Sequence, residues 1–128
     1  MAAIRSRGNK DTELKLAAIL RAVGITGWRR HQRLPGRPDF AFRAARLAIF
    51  VDGCFWHGCP AHATWPKQNA EFWRAKIEAN MARDKDTYER LRAEGWKVIR
   101  VWAHEEPKVA ARRIAYIVEL RRERMRRA

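Results

Sequence analysis

The amino-acid sequence predicts an α/β fold in which a small mixed sheet is flanked by helices. The apolar run 47–51 has the length of a strand and no polar alternation, which is typical of a strand buried on both faces. Longer segments on either side of it carry apolar residues at helical spacing. The resulting order of elements is helix, two strands, helix, strand and helix, which favours a mixed sheet between helical layers.

The chain begins with a segment that predicts a basic arm followed by a helix. Residues 1–10 contain arginine and lysine without an apolar stripe, and we expect them to contact phosphates. Asp11 or Thr12 can cap a helix that runs to about residue 23. The apolar stripe of this helix consists of Leu16, Ile19, Leu20 and Val23.

A hairpin is predicted next. The segment 34–38 is rich in proline and glycine and leads into a short strand over residues 39–42. This strand pairs with the strand 47–51. The hairpin therefore carries Asp39 at its beginning and Asp52 at its end.

The second half of the chain predicts a long helix over residues 70–94, a strand over 96–102 and a basic helix over 107–128. Together with the first half, these elements form a single domain over residues 1–128. The apolar stripe predicted for the long helix consists of Phe72, Trp73, Ile77, Met81, Tyr88 and Leu91.

The charge of the chain indicates a polyanionic partner. Lysine and arginine number 28 against 14 acidic residues, a net charge of +14. We expect nucleic acid and no membrane, because no apolar run approaches the ~18 residues of a membrane span. Six tryptophans favour the same partner, since aromatic rings stack on bases. The alternative is a basic surface that only confers solubility. No signal peptide is recognised, so we expect a cytoplasmic protein.

Both cysteines lie in one segment that predicts a structural zinc site. Cys54, Cys59 and His62 are close enough in sequence to share one ion, and tetrahedral zinc needs a fourth ligand. The remaining histidines are His31, His57 and His104. We favour His104, because the end of strand 96–102 falls near this segment if that strand pairs beside Ile49. The alternative is that the cysteines are small buried apolar residues.

Carboxylates and a histidine provide candidates for phosphodiester hydrolysis. This reaction needs a carboxylate that holds magnesium and a base for the attacking water. Asp39 suits the first role, Glu13 could add a second carboxylate, and His57 could accept the proton of the water. Each also has an ordinary explanation, such as a local turn hydrogen bond for Asp39 and a helix first turn for Glu13.

Several motifs together closely resemble the very-short-patch repair (Vsr) mismatch endonucleases over residues 4–106. The segments 34–40 (LPGRPDF) and 51–60 (VDGCFWHGCP) carry most of this resemblance. The other matching positions are Phe72, Trp73, Lys76, Asn80, Arg83, Asp84, Gly95, Trp96, Val101 and Trp102.

The resemblance implies a restriction-endonuclease-like fold and a nick 5′ to the thymine of a T:G mismatch, which arises when 5-methylcytosine deaminates. It assigns magnesium to Asp39, catalysis to His57 and a helix-borne carboxylate to Glu13. Its intercalating aromatics correspond to Phe55, Trp56 and Trp73. Its structural zinc ligands correspond to Cys54, Cys59, His62 and His104.

Val51 and Asp52 stand where some members of that family have Thr-His. The Val51 carbonyl could still bind magnesium, and Asp52 could bind the ion or its water. The resemblance further implies a monomer in the bacterial cytoplasm, associated with the nucleoid. It also implies a functional link to a cytosine-5 DNA methyltransferase and to mismatch-repair proteins.

Two other functions remain open from the sequence. The chain could be a zinc-stabilised DNA-binding module without catalysis. It could also be a related nuclease that cuts a branched junction or an unmethylated restriction site.

Overall fold

The computed structural model describes residues 7–52 and 70–127. Three helices and four strands lie in this part of the chain. In chain order they are α1 (Arg7–Ala22), β1 (Trp28–Arg30), β2 (Phe40–Phe42), β3 (Leu47–Asp52), α2 (Ala70–Ala93), β4 (Lys97–Trp102) and α3 (Pro107–Arg127).

The four strands form one mixed sheet in the order β1-β2-β3-β4. β1 pairs antiparallel with β2, and β2 pairs antiparallel with β3 as the predicted hairpin. β3 and β4 run parallel with Ile49 opposite Ile99, and the crossover between them contains α2. The predicted pairing of the last strand beside Ile49 is therefore confirmed.

One face of the sheet packs against α1 and α3. Because side chains alternate along a strand, Leu47, Ile49 and Val51 of β3 point to this same face. They join Leu16 and Leu20 of α1 and the buried side of α3 in one apolar cluster. The residues that α3 contributes are Ala110, Ala111, Ile114 and Val118.

The opposite face of the sheet lies beside α2 and includes two alanines and the larger Phe50. Ala41 and Ala48 are buried there, and α2 buries only Ile77 and Leu91 of its predicted stripe. Phe72, Met81 and Tyr88 are 55%, 48% and 41% exposed, so the stripe predicted for α2 is wrong in these members. A small sheet can cover only a narrow stripe of a long helix, and the remaining apolar side chains face solvent. Fewer apolar residues of α2 are therefore buried than its helical periodicity predicts.

Two further features differ from the sequence-based expectations. α1 begins at Arg7, so residues 7–10 of the predicted basic arm are helical, and residues 1–6 of the arm lie outside the described residues. Thr12 then lies inside α1, where its hydroxyl donates to the Ala103 carbonyl at 2.9 Å instead of capping the helix. β1 was not predicted, because three residues are too few to display alternation.

The mixed sheet with helices on both faces agrees with the fold class that the resemblance implies. Among the described residues, none of the helices combines the length and apolar character that a membrane span requires.

A type II turn at Gly36 prepares the start of β2. Pro35 precedes Gly36, the φ of Gly36 is +75°, and the Arg37 amide donates to the Leu34 carbonyl at 2.9 Å. A Cβ at Gly36 would overlap the Thr87 side chain of α2 and approach Phe50 Cε1 at 3.2 Å. This turn therefore needs glycine both for its backbone conformation and for its contact with α2.

Gly36→Ala should lower the free energy of unfolding by more than Gly24→Ala does. Both glycines have positive φ, 75° and 77°, but nothing lies within 4 Å of a Cβ at Gly24. We expect about 1 kcal/mol for the backbone strain at either position and about 1–3 kcal/mol more at Gly36 for the overlap. Urea denaturation of the two variants measures the difference. Equal losses would contradict the proposed contact with Thr87.

Candidate metal centre

Asp39 is held in place at the open end of the hairpin, where its first strand begins and its second strand ends. It directly precedes β2 and is only 6% exposed. Its Oδ2 accepts a hydrogen bond from the Val51 backbone amide at 2.6 Å, which ties it to the far end of β3. The carboxylate therefore has a fixed position beside the last residues of β3.

The Val51 carbonyl points to the same side of β3 as the Val51 amide. Within a strand, the N–H and C=O of one residue point the same way, and those of the next residue point the opposite way. Consistent with this alternation, the Asp52 carbonyl accepts from the Ala103 amide on the β4 side at 2.8 Å. The backbone oxygen of Val51 thus faces the Asp39 side, as a magnesium ligand would require.

Glu13 reaches the same region from α1. The hydrogen bond from Thr12 to Ala103 anchors this part of α1 at the end of β4. Glu13 is 5% exposed, and its Oε1 lies 2.5 Å from Arg30 Nη2 and 3.0 Å from His31 Nε2. Both of these partners come from the end of β1 or the residue after it. The guanidinium of Arg30 thereby compensates the charge of a buried carboxylate, and the imidazole of His31 lies within hydrogen-bond distance of the same oxygen.

Glu13, His31 and Asp39 together could hold a metal ion. One ligand atom from each lies within 4.8 Å of the other two. Two oxygens bound to one magnesium ion are at most about 4.2 Å apart, given bonds of 2.0–2.1 Å. Side-chain shifts of several tenths of an ångström would therefore suffice. The donor set fits a divalent cation, and the sequence-predicted Asp39 and Glu13 are brought together.

Asp52 lies at the end of β3 in a separate ionic network. Its Oδ2 is 2.6 Å from Arg100 Nε on β4, and Arg100 Nη2 is 3.2 Å from Asp84 Oδ2 on α2. The guanidinium of Arg100 also lies 5.3 Å from the Trp102 ring centroid. Arg100 therefore neutralises part of the charge of a buried carboxylate and links the sheet to α2.

Two aromatic rings mark the beginning of α2. Phe72 and Trp73 meet edge to face with their centroids 5.1 Å apart, and Lys76 Nζ lies 5.8 Å from the Phe72 centroid. Phe72 is exposed, whereas Trp73 is half-buried. The predicted intercalating residue Trp73 thus stands beside a second ring and a lysine that were not assigned this role.

Most of the predicted zinc and loop residues lie outside the described residues. His104 is described, and it lies exposed in the turn after β4. Its assignment as a zinc ligand stays a prediction. The predicted residues that fall outside are Cys54, Phe55, Trp56, His57, Cys59 and His62.

Two arginines of α3 stabilise the fold through hydrogen bonds to backbone carbonyls. Arg121 donates to the carbonyls of Ala45 at 3.0 Å and Gly95 at 2.8 Å, and Arg122 donates to the Thr26 carbonyl at 2.7 Å. Desolvation, followed by the charges of Arg124 and Arg46, lowers the pKa of the Arg121 guanidinium. These arginines of α3 therefore connect elements of the fold, which the net charge alone does not reveal.

Sequence reasoning missed Arg30 and His31 at the centre, and Arg100 beside Asp52. His31 was considered only as a zinc ligand. The position of His31 shortly before the Pro-Gly turn that leads to Asp39 could have indicated that it lies near the centre. That inference needs β1, which the sequence did not reveal. Without β1, nothing in the sequence brings residues 30 and 31 beside Glu13.

Comparisons with known proteins identify relatives of this chain. The family model described as DNA mismatch endonuclease Vsr matches residues 1–62. The type II nicking enzyme V.NaeI of Lentzea aerocolonigenes is 46% identical over 70 residues, which cover 55% of this chain and 42% of that enzyme. The type II nicking enzyme V.NmeDIP of Neisseria meningitidis serogroup C is 41% identical over 107 residues, 79% of this chain and 69% of that enzyme.

The DNA mismatch endonuclease Vsr of Escherichia coli (strain K12) is 38% identical over 102 residues, 77% of this chain and 65% of that protein. The chain therefore spans less than half the length of V.NaeI and about two thirds of the other two relatives. The alignments with V.NmeDIP and with the Escherichia coli protein cover 79% and 77% of this chain, so both must include the hairpin and α2. The chain belongs to the family of the DNA mismatch endonuclease Vsr.

Proposed function

We propose that this protein is a magnesium-dependent endonuclease that nicks DNA 5′ to the thymine of a T:G mismatch and so initiates very-short-patch repair. The observation that carries this proposal is the carboxylate pair Glu13 and Asp39 beside the Val51 backbone, in a chain of the Vsr family. A net charge of +14 supports duplex DNA as the partner, since phosphate contacts dominate nonspecific affinity.

In the proposed reaction, Asp39, Glu13 and the Val51 carbonyl would hold magnesium. The ion would supply positive charge next to the scissile phosphate. His57 accepts the proton of the attacking water. Asp52 orients water at the end of β3, where Arg100 fixes its carboxylate.

Mismatch recognition is proposed to depend on the aromatic residues Phe55, Trp56 and Trp73. A wobble pair stacks poorly, so a wedge beside it costs less than at a Watson–Crick step. Cys54, Cys59, His62 and His104 would bind a structural zinc ion that fixes the segment bearing the wedge and His57. Elemental analysis tests this assignment, and a folded protein without zinc would contradict it.

A nicking assay on paired duplexes tests the function. The two duplexes differ only in one T:G pair, and magnesium is present in both reactions. We expect a nick 5′ to the mismatched thymine and little cutting of the matched duplex. Equal cutting of both would overturn mismatch specificity. Cutting of neither, with binding retained, would favour a DNA-binding module.

A second candidate is a nicking enzyme that recognises a sequence rather than a mismatch. The names of V.NaeI and V.NmeDIP, which are called type II nicking enzymes, favour this alternative. Nicking of a matched duplex at one defined sequence would distinguish it from the mismatch enzyme.

Trp73→Ala should reduce the preference for T:G over matched DNA by roughly tenfold. Stacking of one base on an aromatic ring contributes about 1–3 kcal/mol, and 1.4 kcal/mol is a factor of ten. Binding to matched DNA depends on phosphates and should change little. Competition binding with both duplexes measures the ratio.

Tyr88→Ala is the control for this experiment, because Tyr88 is another aromatic residue of α2 and lies outside the Phe72–Trp73 ring pair. The preference of Tyr88→Ala for T:G over matched DNA should equal that of the unsubstituted protein. An equal loss of affinity for both duplexes in Trp73→Ala would show that Trp73 does not read the mismatch.

A further inference from the structure

His31 occupies an unusual position next to the two acids. Its Nε2 lies 3.0 Å from Glu13 Oε1, and it completes the set of three ligand atoms within 4.8 Å. Its backbone amide also donates to the Asp39 carbonyl at 3.4 Å. The imidazole is thus aimed at one carboxylate while the backbone is tied to the residue that bears the other.

The backbone of His31 is strained. Its φ is +52°, a left-handed conformation that few non-glycine residues adopt. Such a conformation costs of order 1–3 kcal/mol and is often found at functional sites. Arg37 and Arg46 share this conformation, with φ of +50° each, so the position of the imidazole carries the argument. The side chain of His31 is 47% exposed, and its Nε2 lies against the buried carboxylate of Glu13.

We infer that His31 is a third metal ligand and that it makes this centre prefer a first-row transition ion such as Mn²⁺ over Mg²⁺. The inference rests on the proposed function, because it concerns the same metal centre. Magnesium favours oxygen ligands throughout, whereas a neutral imidazole binds first-row transition ions better. The carboxylates of Glu13 and Asp39 can bind either kind of ion. The preference for a transition ion over Mg²⁺ therefore depends on His31.

The charge of the centre fits a divalent ion. Glu13 and Asp39 contribute two negative charges, and Arg30 contributes one positive charge. A divalent ion would bring the total to +1, which a phosphodiester of DNA neutralises. The neutral His31 ligand changes the selectivity of the centre without changing this balance.

Metal titration of the whole protein tests the inference without measuring nicking. Binding of Mn²⁺ is followed by electron paramagnetic resonance, and Mg²⁺ is added as a competitor. The test variant is His31→Asn, because asparagine also tolerates positive φ. His31→Gln, whose side chain is longer, is a second variant, and circular dichroism checks that both variants fold.

We expect His31→Asn to weaken Mn²⁺ binding by about tenfold or more, as removal of metal-site residues does, and to leave Mg²⁺ affinity within about twofold. Coupling of bound Mn²⁺ to the imidazole nitrogen in pulsed electron paramagnetic resonance should disappear in both His31 variants. Asp39→Asn should weaken binding of both ions.

Unchanged Mn²⁺ affinity and unchanged nitrogen coupling in the His31 variants would overturn the inference. With that result, weaker binding of both Mn²⁺ and Mg²⁺ to Asp39→Asn would still support the proposed magnesium centre. If Asp39→Asn left both affinities unchanged, the metal centre of the proposed function would fail as well.

Discussion

Asp39→Asn should lower the rate of nicking by roughly a hundredfold to a thousandfold, the cost of removing one group that stabilises transition-state charge. The asparagine oxygen can still accept the hydrogen bond from the Val51 amide, so the end of the hairpin should keep its structure. The variant loses the negative charge that would bind magnesium in the proposed centre. Single-turnover nicking of the T:G duplex measures the effect.

Asp86→Asn is the control for this substitution. Asp86 makes an exposed ion pair with Arg90 one helical turn away on α2, at 3.1 Å. Such a pair contributes little to stability, and it lies outside the proposed centre. The nicking rate of Asp86→Asn should stay within about twofold of that of the unsubstituted protein. Full activity of Asp39→Asn would exclude this carboxylate from catalysis.

Arg121→Ala should lower the free energy of unfolding by about 2–4 kcal/mol, because hydrogen bonds from a charged group contribute about 1.5–3 kcal/mol each. The guanidinium of Arg121 joins α3 to the Ala45 carbonyl in the turn between β2 and β3 and to the Gly95 carbonyl after α2. The buried Ala45 would lose a partner for its carbonyl. Urea denaturation measures the loss.

Two companion variants separate the hydrogen bonds from the charge. Arg121→Lys keeps the charge, but its single ammonium cannot reproduce the fork of the guanidinium, so an intermediate loss is expected. Arg124→Ala removes a charge that lowers the pKa of Arg121, and its effect should lie within about 0.5 kcal/mol of zero. If Arg121→Ala is equally neutral, the proposed link between these elements is wrong.

The regular elements could be predicted because their physical signals are local. Alternation and apolar runs predicted the hairpin and the last strand. The predicted basic helix α3 is confirmed, including its start at Pro107. The predicted stripe of α2 was less accurate, because periodicity identifies the side of a helix that can be buried but not how much sheet is available to cover it. Phe72 and Met81 remain exposed for this reason.

The candidate centre was predictable only in part. Asp39 and Glu13 were identified from residue type, position and the family resemblance, and the structure brings them together. Arg30 and His31 depend on β1, a three-residue strand whose existence rests on pairing with β2 rather than on its own sequence. Arg100 was read as one residue of a strand, and its contact with Asp52 depends on the parallel register of β3 and β4.

The class of fold, the basic character of the chain and the motifs that connect it to the Vsr family follow directly from the amino-acid sequence. These properties depend on composition, short-range periodicity and residue identity. The meeting of His31 with Glu13 and Asp39, and the hydrogen bonds from Arg121 to backbone carbonyls, are visible only in the folded chain. Such contacts join residues far apart in the chain, and their geometry is set by strand register and helix packing.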